Sequence, residues 1–488
     1  MSNKFAVLPS GSDTSRAAVQ RPRARLRLNA SRQAEQCYVL DVLLGEHLGL
    51  QYDTEWVPGL KWVEIDFPGV AKSRVLKIGA NLLLRPQAEW LNAASMPKLP
   101  LGFLDVGGFV PRWEFGPVPV LFPPAATPNE EVNCEGPIFL PVDILGSVFF
   151  LLTRYEEIVV RERDRHERFS ARNSVSHQAG ILQRPLVDEY SRLLARALMA
   201  CVPGLECRRH EPKIRLSHDI DHPYQFFRRS VGQIAYSAGK HFIKEPSLRK
   251  AWELASASAR SGFGGDVGHD PFNSYESLMN AGERLGIPSE FYFMAGQRRR
   301  RYEEAYDLNK PELQQLLRRI HDRGHVIGLH AGYDSFRSVD ALLRELEVLR
   351  SSANRAGIHL NSVGGRQHYL RWENPSTWRA WESAGLAYDA TVGFADQIGF
   401  RCGTCREFPV FDACDSKKLK LRERPLALMD VTITDYLKLS PEQIAEQLRA
   451  LWTVVRDLGG TMEVLIHNCN PQGPWLARQV CKLVDSAS

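Results

Sequence analysis

Ile214-Arg215-Leu216-Ser217-His218-Asp219-Ile220-Asp221-His222 opens as a short apolar strand and closes on two carboxylates and flanking histidines. If the strand runs on through the motif, side chains alternate, so Asp219 and Asp221 share one face and approach one point. Like charges so placed repel unless a cation binds between them or one carboxyl keeps a proton. A metal-holding carboxylate beside a proton-accepting one is a natural division of labour. Taken alone, the same letters also fit a turn or helix-cap cluster.

Working outward from this stretch, short apolar runs alternate with amphipathic ones to the end of the chain. Strands are predicted at 214–217, 289–294, 325–330, 387–391, 426–431 and 462–467. Helices are predicted at 274–285, 311–323, 338–356, 375–383 and 441–458. Ser440-Pro441-Glu442-Gln443 combines an N-cap serine, a proline in the first turn and a capping-box glutamine. Gly286, Gly324, Gly357 and Gly385 stand where helices should stop. Such alternation implies parallel strands covered by helices, as a barrel or a doubly wound sheet. In a barrel, reactive side chains gather at the C-terminal strand ends. Asp219, Asp221, His330, Asp389 and His467 all fall at such ends.

A second stretch, Gly324-His325-Val326-Ile327-Gly328-Leu329-His330-Ala331-Gly332-Tyr333-Asp334, places His330 at a strand end with Asp334 four residues on. Together with Asp221 they could offer one nitrogen and two oxygen ligands to a divalent metal while leaving positions open. His325 should face the opposite side of its strand and pack as a structural histidine.

The order Asp219-x-Asp221, then Gly324 to His330, then Gly365-Arg366-Gln367-His368-Tyr369, then Tyr388-Asp389, then Leu465-Ile466-His467 resembles the five motifs of the polysaccharide deacetylase (NodB-homology) family, carbohydrate esterase family four. The resemblance spans about 214–471. It implies an α/β fold with a distorted (β/α) barrel, in a bacterial branch that adds an N-terminal domain and accompanies surface-polysaccharide assembly. It also implies roles. Asp219 is the base that activates a water, Asp221 a carboxylate metal ligand and His330 the first histidine ligand. Arg366 orients the base, the Tyr369 backbone N–H helps hold the oxyanion, Asp389 partners the last histidine, and His467 protonates the departing amine. The family's second histidine ligand would stand at 334, where this chain has Asp334, giving two carboxylates and one histidine. Zinc is the expected ion, with a harder divalent ion as the alternative. Trp372 is a candidate for the sugar site, whereas Trp378 and Trp381 sit at helical core spacing.

At 488 residues the chain is long enough for two domains. The expected division is a flexible tail at 1–30, a smaller α/β accessory domain at 31–205 and the barrel at 206–488. Composition, with 44% hydrophobic and 24% charged residues, is that of a globular protein. A net charge of +5 and the lack of interleaved aromatics argue against nucleic acid as a partner. The arginine runs Arg21 to Arg27 and Arg298 to Arg301 read as solvated tail and loop. The apolar run at 138–152 is broken by Pro141 and Asp143 and too short for a bilayer, so it reads as buried. No apolar leader stands at the N-terminus, and nine cysteines without secretory context imply reduced thiols and a cytoplasmic location. Cys402-Gly403-Thr404-Cys405 has no second pair to complete a zinc site and reads as two packed thiols.

The combined expectation is a metal-dependent deacetylase that acts on an N-acetyl, or alternatively O-acetyl, group of a sugar or glycan precursor. Its rivals are an amidohydrolase acting on a non-sugar amide such as a ureide, and a glycan-binding relative without turnover.

Overall fold

The computed structural model describes residues 22–107, 113–128, 136–225, 267–296, 302–303 and 306–485. Residues 1–21 of the expected tail and the Arg298 to Arg301 run lie outside them. The N-terminal half carries strands β1 (Ala24–Leu28), β2 (Tyr52–Trp56), β3 (Trp62–Asp66) and β4 (Leu76–Gly79). A separate ribbon joins β5 (Gly102–Leu104) to β6 (Val118–Val120), and β7 (Ile138–Leu140) completes a five-stranded mixed sheet in the order β2-β1-β3-β4-β7. Strand β1 falls inside the stretch read as a tail. Its alternation explains why: Ala24, Leu26 and Leu28 are buried, while Arg25 and Arg27 point outward to Asp66 and Glu64.

The apolar run becomes β7 and helix Ile144–Leu152, all nine of whose residues are buried. Asp143 caps it, one carboxylate oxygen accepting from Gly146 N–H (2.7 Å) and the other from Asn81 and Leu82 N–H (2.9 and 2.8 Å). A helix apolar on every side needs cover on every side. Part of that cover comes from the C-terminal half, where Phe411 meets Phe149 edge-on with ring centroids 5.6 Å apart.

The C-terminal half contributes β8 (Lys213–Ile220), β9 (Glu290–Met294), β10 (Val326–Ala331), β11 (Gly365–Gln367), β12 (Tyr388–Asp389), β13 (Phe408–Asp412), β14 (Lys417–Glu423), β15 (Leu428–Met429) and β16 (Thr461–Leu465). They form one sheet in the order β13-β14-β12-β11-β10-β9-β8-β16-β15, parallel throughout except for the β13–β14 pair. All five predicted helices are present, the last as Pro441–Leu458 with the full capping box at Ser440 and Gln443. Gly286, Gly324, Gly357 and Gly385 take positive φ of 68–81° beyond their helices, as the stop signals require.

The expected closed barrel is not formed by the described strands. The antiparallel β13–β14 hairpin occupies the edge beside β12 where a closing strand would pair, and β13 turns instead to the N-terminal half. There Tyr38 Oη donates to Pro409 C=O at 2.9 Å and its ring lies 4.8 Å from that of Phe411. Isolated backbone bonds, Leu426 N–H to Val392 C=O and Gly399 N–H to Ala427 C=O, join the segments beyond the two edges without forming a strand ladder among the described residues. One continuous apolar core runs through both halves. Among the described residues no helix is long and apolar enough to cross a membrane, and the described cysteines, Cys402 and Cys405 included, are free thiols.

Candidate active site

Five parallel strands bring the reactive residues to one end of the sheet. Strand β8 delivers Asp219 and, just past its end, Asp221. Strand β10 delivers His330, β11 delivers Arg366 and then His368, β15 leads into Asp430, and β16 leads to His467. These strands are buried on both faces, as parallel strands covered by helices are.

Asp219 is buried and accepts from Arg366 Nη1 at 2.9 Å. The guanidinium is fixed in turn by the Ala390 carbonyl (2.8 Å), Ser217 Oγ (3.0 Å) and Glu463 (3.2 Å). Burial opposes ionisation of Asp219, but Arg366, His330 and His467 outweigh it and hold the carboxyl below its ordinary range.

Asp221, His330 and His368 offer three ligand atoms that lie within 4.8 Å of one another. His330 Nδ1 faces the Arg366 carbonyl at 3.0 Å, and since a carbonyl only accepts, Nδ1 carries the proton. Nε2 is thereby turned toward Asp221 Oδ1, 3.0 Å away. His368 Nε2 stands 3.6 Å from the same oxygen. Both His330 Nε2 and Asp221 Oδ1 are buried without a hydrogen-bond partner. A cation held there would replace the proton that the neighbouring carboxylates favour on His330, and the donor set suits a divalent ion with open positions.

His467 stands at the same buried site. Its Nδ1 meets Asp430 Oδ1 at 2.6 Å, its backbone N–H donates to the other oxygen at 2.8 Å, and its Nε2 faces Asp221 Oδ2 at 3.8 Å. Burial disfavours the imidazolium, yet Asp430, then Asp221 and Asp219, push its pKa up to about 10. A protonated histidine and an ionised aspartate thus share one buried site.

Three expected residues take other places. Asp334 is not in the ligand cluster: its side chain is 59% exposed and pairs with Arg371 at 3.2 Å. His368 stands with Asp221 and His330 instead, two residues after Arg366 and therefore within reach of the same strand end. Asp389 does not partner His467. It is fully buried, accepts from Thr391 N–H (2.9 Å) and the Thr391 hydroxyl, and burial pushes it up to about 7. Asp430 has the role that had been expected of it. Trp372 is fully buried against Trp378, with ring centroids 4.7 Å apart, so it packs the core and does not line a sugar site. Trp378 and Trp381 are core residues, and His325 accepts from Ser289 N–H at 3.0 Å as a packed structural histidine. Tyr369 does stand at the site, with φ +63° and its ring 4.7 Å from that of His368. In the sequence His368 was visible inside the quoted motif, and Asp430 lay near the end of a predicted strand. Neither had a partner that spacing alone could name.

A family model described as a family of unknown function, DUF7033, matches residues 26–203. No curated protein matches the chain. Among solved structures, one from Mycobacterium smegmatis, provisionally described as a polysaccharide deacetylase, is 16% identical, covering 57% of this chain and 84% of its own, with a TM-score of 0.36. Puue allantoinase is 12% identical over 56% of this chain and 83% of its own, with a TM-score of 0.36. The polysaccharide deacetylase Bc1974 from Bacillus cereus is 12% identical over 57% and 89%, with a TM-score of 0.27.

Proposed function

We propose that the chain is a metal-dependent hydrolase that removes the acetyl group from an N-acetylated sugar of a glycan or its precursor. The observation that carries this reading is that an ionised, arginine-held Asp219 and a protonated, aspartate-held His467 both adjoin the Asp221–His330–His368 cluster. An amide is a poor electrophile with a poor leaving group, so its hydrolysis needs a base for water, charge stabilisation at oxygen and an acid for nitrogen. Zinc or another divalent ion held by Asp221, His330 and His368 would supply Lewis-acid chemistry to the water and the amide oxygen. Asp219 takes a proton from the attacking water, and Arg366 keeps that carboxylate charged and oriented. The Tyr369 N–H, on the turn after β11, contributes to holding the oxyanion. His467 Nε2 hands its proton to the departing amine nitrogen while Asp430 retains Nδ1.

The test is acetate release from metal-reconstituted full-length protein supplied with N-acetylhexosamines, O-acetyl sugars and a ureide. Acetate together with free amine is the expected result, and Asp219→Asn should lower turnover by about two to four orders of magnitude. Ureide hydrolysis without acetate would move the chain to the non-sugar amidohydrolases. Sugar binding with no product from any substrate would make it a binding protein.

A further inference from the structure

Arg168 belongs to the N-terminal half yet ends beside the ligand cluster. Its backbone N–H and Nε both donate to Asp164 at 2.9 Å, which fixes the base of the side chain. Nη1 donates to the Tyr369 carbonyl at 3.1 Å and Nη2 to the Tyr436 hydroxyl at 3.0 Å. One largely buried guanidinium therefore ties together the tyrosine that follows His368 and the tyrosine that lies six residues after Asp430. Those two residues are 36% and 44% exposed, although each belongs to a segment that supplies the buried charge cluster. Two residues before Arg168, His166 packs its ring 4.8 Å from that of Tyr369 and meets Tyr333 Oη at 3.1 Å. Tyr333 in turn lies 5.4 Å from Tyr369. Exposed aromatic faces beside a polar centre suit the apolar face of a pyranose ring, and their hydroxyl edges suit its hydroxyls.

We propose that loop 164–169 of the N-terminal half is part of the substrate site, with Arg168 as a positioning residue that sets Tyr369 and Tyr436 as a two-ring platform for a sugar unit adjoining the one that loses its acetyl group. The inference rests on the sugar-amide reading above. Tyr369 adopts a left-handed backbone conformation that a non-glycine residue holds only when its surroundings fix it, and the Arg168 bond to its carbonyl is such a restraint. The same bond ties the peptide that follows Tyr369 to the N-terminal half, so that half shapes the site it adjoins.

The experiment compares full-length, metal-loaded protein with Tyr436→Ala, Arg168→Ala and Arg168→Lys on N-acetylglucosamine, its dimer and its trimer. Calorimetric binding of the same three sugars is measured in an Asp219→Asn background. Tyr436→Ala, an exposed substitution, should raise KM for the trimer about tenfold more than for the monosaccharide, with its effect in KM rather than kcat. Arg168→Ala should raise KM and lower kcat together, and Arg168→Lys should recover part of each. Metal stoichiometry stays at the wild-type level in every variant. Equal KM changes for all three lengths, or none, would overturn the platform. If wild type releases no acetate but its Asp219→Asn form binds the trimer more tightly than the monosaccharide, and Tyr436→Ala removes that advantage, the hydrolase reading fails and the platform stands. If the trimer binds no more tightly than the monosaccharide, the platform itself is wrong.

Discussion

His368 and Asp334 offer opposite answers to which side chain completes the ligand set, and the choice is measurable one residue at a time. His368 is buried with Nε2 facing Asp221, whereas Asp334 is exposed and engaged by Arg371. In atomic-absorption measurements of protein loaded with zinc, His330→Ala and His368→Ala should each lose most of the ion, and Asp334→Ala should keep it. Retention by His368→Ala would return the third position to another group. The acid is tested through its partner. His467 must be protonated to serve the leaving nitrogen, and Asp430 is the main charge raising its pKa against burial. Asp430→Asn therefore lowers that pKa, and the alkaline limb of the kcat profile moves to lower pH, with more activity lost at pH 9 than at pH 6. Asp389→Asn, at a residue already pushed up to about 7 and bonded elsewhere, should leave that limb in place. Asp219, Asp221, His330, Arg366 and His467 were legible because strand alternation and motif order place them at strand ends. Asp334 was misread because spacing of four along the chain says nothing about where the chain turns after β10. There it leaves the sheet, and its carboxylate pairs with Arg371.

At the scale of elements, β11 has only three residues but sets two of the site's side chains. It pairs with β10 in the register Leu329↔Gly365 and His330↔Arg366. A Cβ on Gly365 would lie 1.8 Å from the Leu329 carbonyl oxygen, which is backbone and cannot rotate away. Gly365→Ala should therefore force β10 and β11 apart, costing about 1–3 kcal/mol, the usual range for overpacking. His330 and His368 would separate with the strands, so thermal melting should fall and metal titration should weaken together. A drop in melting temperature with unchanged metal affinity would show that the cluster does not depend on this pairing. The reason β11 escaped the sequence pattern is the same shortness: Gly-Arg-Gln has no apolar period to read. Strand β12, at two residues, was recognised only as part of a longer run, and the alternating Lys417–Glu423 strand was hidden among stretches that read as parallel strands and helices. The helices were legible nearly to the residue because amphipathic spacing, caps and glycine stops all agreed. Barrel closure was not, since it depends on which distant edges meet.

Across the whole molecule, the expected boundary near residue 205 separates two stretches of sequence but not two cores. Glu157 of the N-terminal half is fully buried and bonds Arg401 of the C-terminal half through both oxygens, at 2.9 and 2.6 Å. It also accepts from Arg154 Nε at 2.8 Å. Burial opposes its charge, but Arg401 and Arg154 hold the carboxyl below its ordinary range. Removing it takes the carboxylate from buried Arg401 and leaves Arg154 with Glu156 (2.6 Å), so Glu157→Ala should cost about 3–5 kcal/mol, as breaking buried pairs does. The exposed Arg25–Asp66 pair provides the contrast: Arg25→Gln should cost no more than about 1 kcal/mol, since solvent screens such contacts. The same argument applies to the division of the chain. A 206–488 fragment would expose Phe411, Arg401 and the Cys405 backbone N–H, which the N-terminal half covers through Phe149, Glu157 and Asp188. Calorimetry of the full chain should show one cooperative transition, lowered in Glu157→Ala and nearly unmoved in Arg25→Gln, while the fragment shows none. A fragment that melts cooperatively on its own, or a full chain with two independent transitions, would mean that the N-terminal half is an appended domain after all. The contacts at Glu157 would then be an interface laid over an independently stable sheet.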